Sequence, residues 1–284
     1  MKIVLMTGAA GGVGSRTALA HLRAGDRVFA GVHQAAQMPA LTAQAGALAS
    51  RLTPLVLDVT NPASVHDAVA RVMAEAGRID VVSNVAGISA VGALEDCDDA
   101  LYTRLWEVNC MGPLRLARAA LPVMRAAGGG RLVFMSSMAG RVPVPGESAY
   151  AASKHALEGA VESLAFELAR FNVRIGLVEA SYHRSPIGEK VARPVLREGS
   201  PYAPLSRHLA TLASRNIAAA PDPAPLAEAL LRLAHDPDPP LRLVVGERAQ
   251  ALAKARALGD DAALATATEE RMQMQWWREG EAPG

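Results

Sequence analysis

The sequence is poor in aromatic residues, in lysine and in cysteine. Phe, Trp and Tyr make up 4% of its 284 residues, too few for the stacking platforms that hold single-stranded nucleic acid. Only four residues are Lys, so Arg carries most of the basic charge. Lys plus Arg total 29 and Asp plus Glu 28, a formal net charge of +1. A nucleic-acid-binding face needs a basic excess to displace counterions, so no nucleic-acid partner is expected. The two cysteines, Cys97 and Cys110, form no CxxC pair and no zinc spacing, and no metal site is expected from them. Two thiols in so long a chain read as free thiols of a reducing cytosol. Long hydrophobic runs are missing too. The apolar start, Ile3 to Met6, is too short for a signal-peptide core. One long uncharged stretch, Val28 to Ser50, is interrupted by His33, Gln34, Gln37, Pro39, Gln44 and Gly46 and makes a poor membrane span. The expectation is a cytoplasmic protein with no membrane partner.

What is present is a core-forming composition, 50% hydrophobic and rich in Ala. Short apolar runs alternate with longer helical ones. Ile3–Met6, Arg27–Val32, Leu55–Leu57, Ile79–Ser83, Arg131–Met135 and Val173–Val178 read as buried strands. Between them lie helical stretches: Val13–Ala24, one opened by Asn61-Pro62, Leu101–Ala127 interrupted near Gly112-Pro113, and Ser148–Arg170. Strands alternating with such helices imply βαβ units. The fold class expected is α/β: a doubly wound, mostly parallel sheet in three layers, a Rossmann fold in a single domain. From Ser181 to Pro225 the periodicity breaks under seven prolines, Pro186 first among them. Long irregular segments of this kind are more often functional than accidental. A further helix, Leu226–His235, and a last strand, Leu241–Val245, follow. The expected organisation is a dinucleotide-binding domain over residues 1–246, a substrate lid at about 181–225 and a helical extension over 247–284.

The first strand runs into Thr7-Gly8-Ala9-Ala10-Gly11-Gly12-Val13-Gly14, and a helix follows. A Gly-rich turn between strand and helix lets backbone amides approach a pyrophosphate, and the helix N-terminus adds a favourable partial charge. Taken alone it reads more readily as a flexible turn with no ligand. Its place after the first strand of a βαβ pattern favours the phosphate loop.

Four motifs in order give the chain a family resemblance. Thr-Gly-x3-Gly-x-Gly after the first strand, Asn84-Val85-Ala86-Gly87 after the fourth, Asn109 within Trp106-Glu107-Val108-Asn109, and Ser137 followed by Tyr150 and Lys154 resemble the short-chain dehydrogenase/reductase family. The resemblance spans residue 2 to about 246. The Tyr–Lys spacing has its own chemical sense. Residues four apart share one helix face. A free Tyr titrates near pH 10, and a neighbouring ammonium favours the phenolate, bringing it closer to the working pH of a general acid or base.

The resemblance implies the roles. Tyr150 exchanges the proton of the substrate hydroxyl, Lys154 also holds the nicotinamide ribose, Ser137 bonds the carbonyl oxygen, and Asn109 anchors a water in a proton relay. Cofactor contacts fall on Thr7, Gly8, Gly12, Val13, Gly14, His33, Asp58, Val59, Asn84, Ala86, Gly87, Lys154 and Ser185. Val32 stands where NAD-preferring relatives carry Asp, so nothing there repels a 2′-phosphate. His33 and Arg16 are candidates to meet one, which favours NADP over NAD as cofactor. His33 is otherwise a solvated loop residue, and Asp58 a turn residue before the next helix. After the sixth strand Ala180-Ser181 replace the family's Pro-Gly, and Ser185 stands in for its Thr. His183 either lines the substrate site or is a solvated loop residue.

The expected activity is NAD(P)(H)-dependent interconversion of a secondary alcohol and a ketone on an apolar or cyclic substrate. Two alternatives remain open here: a redox-neutral, epimerase-like enzyme of the same fold, and a non-catalytic cofactor-binding regulator. Substrate choice is expected in Met138–Gly146 and Ser181–Pro225. The tail with Trp276-Trp277 folds over the site, packs on a partner subunit or stays disordered; packing ranks first, because paired tryptophans are unfavourable in water. Relatives associate as dimers or tetramers, so a homo-oligomer is expected.

Overall fold

A computed structural model describes residues 1–185 and 191–280. Pro186 and the end of the extension, residues 281–284, therefore lie outside the described residues. The strands are β1 (Ile3–Met6), β2 (Arg27–Val32), β3 (Leu52–Val56), β4 (Val81–Asn84), β5 (Gly130–Met135), β6 (Val173–Ala180) and β7 (Arg242–Val245). They form one parallel sheet in the order β3-β2-β1-β4-β5-β6-β7. Order reverses across β1 and β4, the switch point at which doubly wound sheets open a crevice for ligands.

The helices are α1 (Gly12–Arg23), α2 (Met38–Ala45), α3 (Pro62–Ala76), α4 (Asp99–Trp106), α5 (Gly112–Ala126), α6 (Ser148–Leu168), α7 (Ala203–Ala218), α8 (Ala224–His235), α9 (Glu247–Ala257), α10 (Asp261–Met272) and α11 (Gln275–Glu279). Successive strand residues face opposite layers. Ile3, Leu5, Phe29, Leu132 and Phe134 pack with Val65, Leu116, Met124 and Leu157 of α3, α5 and α6. Val4, Met6, Val28, Val133 and Val178 pack with Val13, Leu22, Leu41 and Leu230 of α1, α2 and α8. Both faces of the sheet are covered, which is why its strands read as continuous apolar runs.

Three strands differ from the expectation by more than one residue. The third strand is Leu52–Val56 rather than Leu55–Leu57. It contains Pro54, which lacks a ladder donor but is tolerated because β3 is the sheet edge. The fourth strand is Val81–Asn84, and the sixth continues to Ala180, so both reach further toward the site. The interruption near Gly112-Pro113 is a π-helical turn, Glu107–Met111, that joins α4 to α5. Pro113 has no N–H for the i−4 carbonyl, which here belongs to Asn109, so the regular ladder fails there.

The tail packs on its own chain. Trp276 meets the His208 ring edge-on at 5.5 Å, and Trp277 meets Tyr202 at 6.0 Å. Met272 is buried with Leu209, Ala213 and Ile217 of α7. Ala249 and Leu264 are buried against Met138 and Val142. Of the three fates considered for the tail, this is folding over the site. Among the described residues no helix is long and apolar enough to cross a membrane.

Candidate active site

The site is assembled at the C-terminal ends of β1, β4, β5 and β6. At the end of β1, Gly8 has φ +66°, and a Cβ there would lie 2.8 Å from the backbone of Ala86. A Cβ on Gly14 would lie 2.0 Å from the Gly8 carbonyl oxygen. Both positions accept only glycine, because the loop folds back on itself and on the β4 end. The Thr7 hydroxyl ties the two strand ends together, accepting from the N–H groups of Val85 (3.0 Å) and Ala86 (3.1 Å). Gly11 caps α1 with no side-chain acceptor, and the first turn carries no acid. Its amides, from Gly12 through Gly14, are thus available to an anion.

Asn84 closes β4. It is buried, and neither its amide oxygen nor its nitrogen has a partner. A buried amide left unpaired is unfavourable by about 1–3 kcal/mol, so the group is explained by a ligand that meets it. The Ser185 hydroxyl is buried and unpartnered in the same way among the described residues. The Gly cradle, the open helix terminus and these orphaned groups fit a dinucleotide cofactor. At the adenosine side Val32 is buried and His33 is exposed. Asp58 Oδ1 accepts from the N–H and hydroxyl of Thr60 at 2.9 and 2.7 Å. Burial works to raise the Asp58 pKa, but these bonds and the nearby His33 outweigh it and hold it low. Val59 is buried beside it. Arg16 is committed to an ion pair with Asp222 at 2.6 Å.

Asn109 sits in the π turn, fully buried. Its Oδ1 accepts from Ile88 N–H at 2.9 Å; its Nδ2 donates to Ile88 O at 2.9 Å and to Ser153 Oγ at 3.1 Å. The Ser153 hydroxyl donates to the Tyr150 carbonyl at 2.7 Å. Asn109 therefore tethers the loop after β4 to α6. Gly87 lies between, where a Cβ would stand 3.4 Å from Asn109 Oδ1 and 3.9 Å from Lys154 Nζ.

Ser137 follows β5 and caps a short 3-10 turn, accepting from Ala139 N–H at 3.1 Å. Tyr150 and Lys154 lie one turn apart on α6. Lys154 Nζ donates to Met135 O at 2.9 Å and stands 5.9 Å from the Tyr150 ring centroid. Burial pushes the Lys154 pKa down to about 8, against the pull of Glu158 and Cys110. Burial pushes the Tyr150 phenol up. Hydrogen bonding with Ser137 opposes that, and Glu147 and Tyr182 add to it. The phenol is thus protonated at neutral pH. Desolvation outweighs the hydrogen bond with Ser137, so the phenol is not lowered as the spacing alone suggested.

Ser137 and Tyr150 line one cavity of about 140 Å³, with Met138, Val142 and Val144 on one wall and Tyr182 and His183 on another. His183 is half-buried with Nδ1 unpartnered. The two segments expected to set substrate choice both contribute. So do residues that sequence reasoning missed: Ser89, Glu147, Arg248, Leu252, Arg271 and Met272. Glu147 had a local signal, because an acid three places before Tyr150 stands at the N-cap of α6. It is buried, accepts from Ser89 Oγ at 3.3 Å, and burial pushes it up to about 7 against that hydrogen bond. The arginines had no such local signal.

A family model for the short chain dehydrogenases matches residues 2–195. The chain belongs to the short-chain dehydrogenase/reductase family. The oxidoreductase BOA17 of Botryotinia fuckeliana is 33% identical over 280 residues, spanning 98% of this chain and 97% of that protein. The 3-oxoacyl-acyl-carrier-protein reductase FabG of Thermotoga maritima is 32% identical over 206 residues, 72% of this chain and 84% of that protein. A short-chain dehydrogenase from Streptomyces avermitilis superposes with a TM-score of 0.77 at 32% identity, covering 99% of both chains. As a member of this oxidoreductase family, the chain carries its parallel α/β sheet.

A second titratable cluster lies at the opposite edge of the sheet. His21 Nδ1 and His235 Nε2 both hydrogen-bond Asp26 Oδ2, at 2.9 and 2.7 Å. These three residues have the composition of a metal site, but those distances are hydrogen bonds that already occupy the atoms.

Proposed function

We propose that this member of the family interconverts a secondary alcohol and a ketone, with NADP(H) as cofactor in preference to NAD(H). The observation that carries the reading is convergence. Ser137 and Tyr150 line one cavity, Lys154 stands one helical turn on with its Nζ 5.9 Å from the Tyr150 ring centroid, and the cavity wall is otherwise mainly apolar. An apolar or cyclic substrate suits that wall.

A bound nicotinamide supplies or accepts the hydride. The chain's own residues handle the proton and the geometry. Ser137 Oγ and the Tyr150 phenol orient the carbonyl oxygen. In reduction, Tyr150 gives its proton to the oxygen as negative charge develops there, leaving a phenolate. Lys154, as an ammonium on the same helix face, stabilises that phenolate. Asn109 acts one step back, fixing the loop after β4 against α6 through Ser153. Gly12 to Gly14 and the unpartnered Asn84 hold the dinucleotide. Val32 leaves room for a 2′-phosphate, and His33 meets it; Arg16 is engaged by Asp222.

The deciding variant is Tyr150→Phe, assayed by nicotinamide absorbance over a panel of ketones and alcohols with both cofactors. It should bind cofactor as the parent does and lose turnover; retained turnover refutes the assignment. The same panel should give a higher kcat/KM with NADPH than with NADH.

The protein forms a homo-oligomer through α4 and α6. Phe166 on α6 is 86% exposed and Trp106 on α4 is 44% exposed, an unusual display for rings in a lone subunit. Phe166→Glu should reduce the mass seen in light scattering, and an unchanged mass removes this interface.

A further inference from the structure

We infer that Arg271 and Arg248 form an anion-binding end of the substrate cavity, so that the substrate carries a carboxylate remote from the carbon that reacts. The inference rests on the oxidoreductase reading and adds the substrate class. Both arginines come from the C-terminal helices, outside the family-matched residues 2–195.

Three observations support it. First, both side chains line the cavity that Ser137 and Tyr150 line. Their neighbours fix them there: Ala249, next to Arg248, is buried against Met138 and Val142, and Met272, next to Arg271, is buried against α7. Second, the two guanidiniums are close enough to repel. Burial and then Arg248 weigh against the charge on Arg271, with Tyr182 alone favouring it. An arginine does not deprotonate to escape, so the charge stays. Third, among the described residues neither has a carboxylate within salt-bridge distance, whereas Arg16, Arg27, Arg71, Arg141 and Arg242 all do. Arg271 Nε is buried without a partner. Its one hydrogen bond is from an Nη to Pro143 O at 3.3 Å. Arg248 lies over the Tyr182 ring, 5.1 Å from its centroid.

Two like charges crowded at a partly desolvated wall are unfavourable unless an anion joins them. A guanidinium with a free Nε edge suits the two oxygens of a carboxylate. The apolar residues that line the same cavity then accommodate the carbon chain. Glu147 does not serve as the missing anion. It is held by Ser89, and no arginine is among its partners.

The test uses the full chain and a homologous series of methyl-ketone acids, levulinate and its longer homologues, each paired with its methyl ester. At the best chain length the acid should exceed its ester in kcat/KM by about tenfold to a hundredfold, the range of a charge-assisted hydrogen bond. Arg271→Gln and Arg248→Gln should raise KM for the acids far more than for the esters and so remove that preference. Arg271→Lys should restore part of it. Equal acid and ester rates at every length overturn the inference, as does an Arg271→Gln loss that falls equally on acids and esters.

A failure of the activity itself is separable. If no ketone is reduced with either cofactor, the oxidoreductase reading falls, and thermal-shift titration with phenylbutyrate and phenylbutyramide decides the anion site. Protection by the carboxylate alone, lost in Arg271→Gln, supports it. Equal protection by both, or none by either, overturns it.

Discussion

The two edges of the sheet hold the same kinds of side chain in opposite condition. At the N-terminal edge, Asp26 is buried between His21 and His235 and also accepts from Lys2 N–H at 2.9 Å. At the C-terminal edge, His183 Nδ1 and Arg271 Nε are buried without partners in the lining of a cavity, and the Asn84 amide is buried without one at the end of β4. Buried polar groups in proteins are ordinarily satisfied. Where they satisfy one another they hold elements together; here they join α1, β2 and α8. Where they are left open beside a cavity, the missing partner comes from outside the chain. Titratable residues alone would not have told these regions apart. Their pairing does.

The strongest way to break this comparison is at the phenol. Tyr150→Phe should lower turnover by about 10²–10⁴-fold, the range for a positioned general acid, with an unchanged melting temperature. Asp26→Ala should do the reverse. A buried imidazole, an exposed one and a backbone N–H lose their acceptor, so stability should fall by about 3 kcal/mol, read by urea unfolding. Its kcat/KM under folded conditions should match the parent. A catalytic loss without destabilisation would mean that the two edges are not independent.

The two edges should also answer to opposite ends of the pH scale. Burial lowers the His21 pKa, and Asp26 opposes this. His21 is therefore neutral when folded, and its contribution is lost as pH falls below the ordinary histidine range. Burial alone would raise Asp26, but hydrogen bonds from His21, Lys2 N–H and His235 outweigh it and hold the carboxyl far below the usual range. Its contribution is present above the ordinary aspartate pKa and is lost as pH falls below it. Denaturant midpoints should thus decline on acidification, and Asp26→Ala should flatten that decline. At the other edge Lys154 loses its ammonium above a pKa of about 8. Ketone reduction should fall as pH rises through that value, an effect read in kcat, while by linkage stability rises between that value and the ordinary lysine range. The smallest effect belongs to Glu147. Its carboxyl is pushed up to about 7, and its charge disfavours the phenolate at Tyr150. Glu147→Gln should remove an inflection near that pH from kcat/KM, changing the rate only a few-fold.

Much of this was legible in the sequence because it is local. A strand, a glycine turn and a helix start are written in consecutive residues, and Tyr150 and Lys154 share a helix face by spacing alone. Asn61-Pro62 opened α3 as read, with Asn61 accepting from Ala63 and Ser64 N–H. The interruption at Gly112-Pro113 was visible, though not that it would be a π turn carrying Asn109. The third strand was misplaced because the tolerance for Pro54 depends on β3 being an edge, which is a property of the sheet.

The sequence by itself determined the family, the order of elements and the Ser, Tyr and Lys positions, since each follows from periodicity or from motifs of a few residues. Only the tertiary structure decided which side chains the tail delivers to the cavity. Arg271 lies 121 positions after Tyr150 in the numbering, and no periodicity links them. Burial of Ala249, Leu264 and Met272 carries the C-terminal helices over the site. That apolar packing leaves Arg248 and Arg271 at the cavity wall.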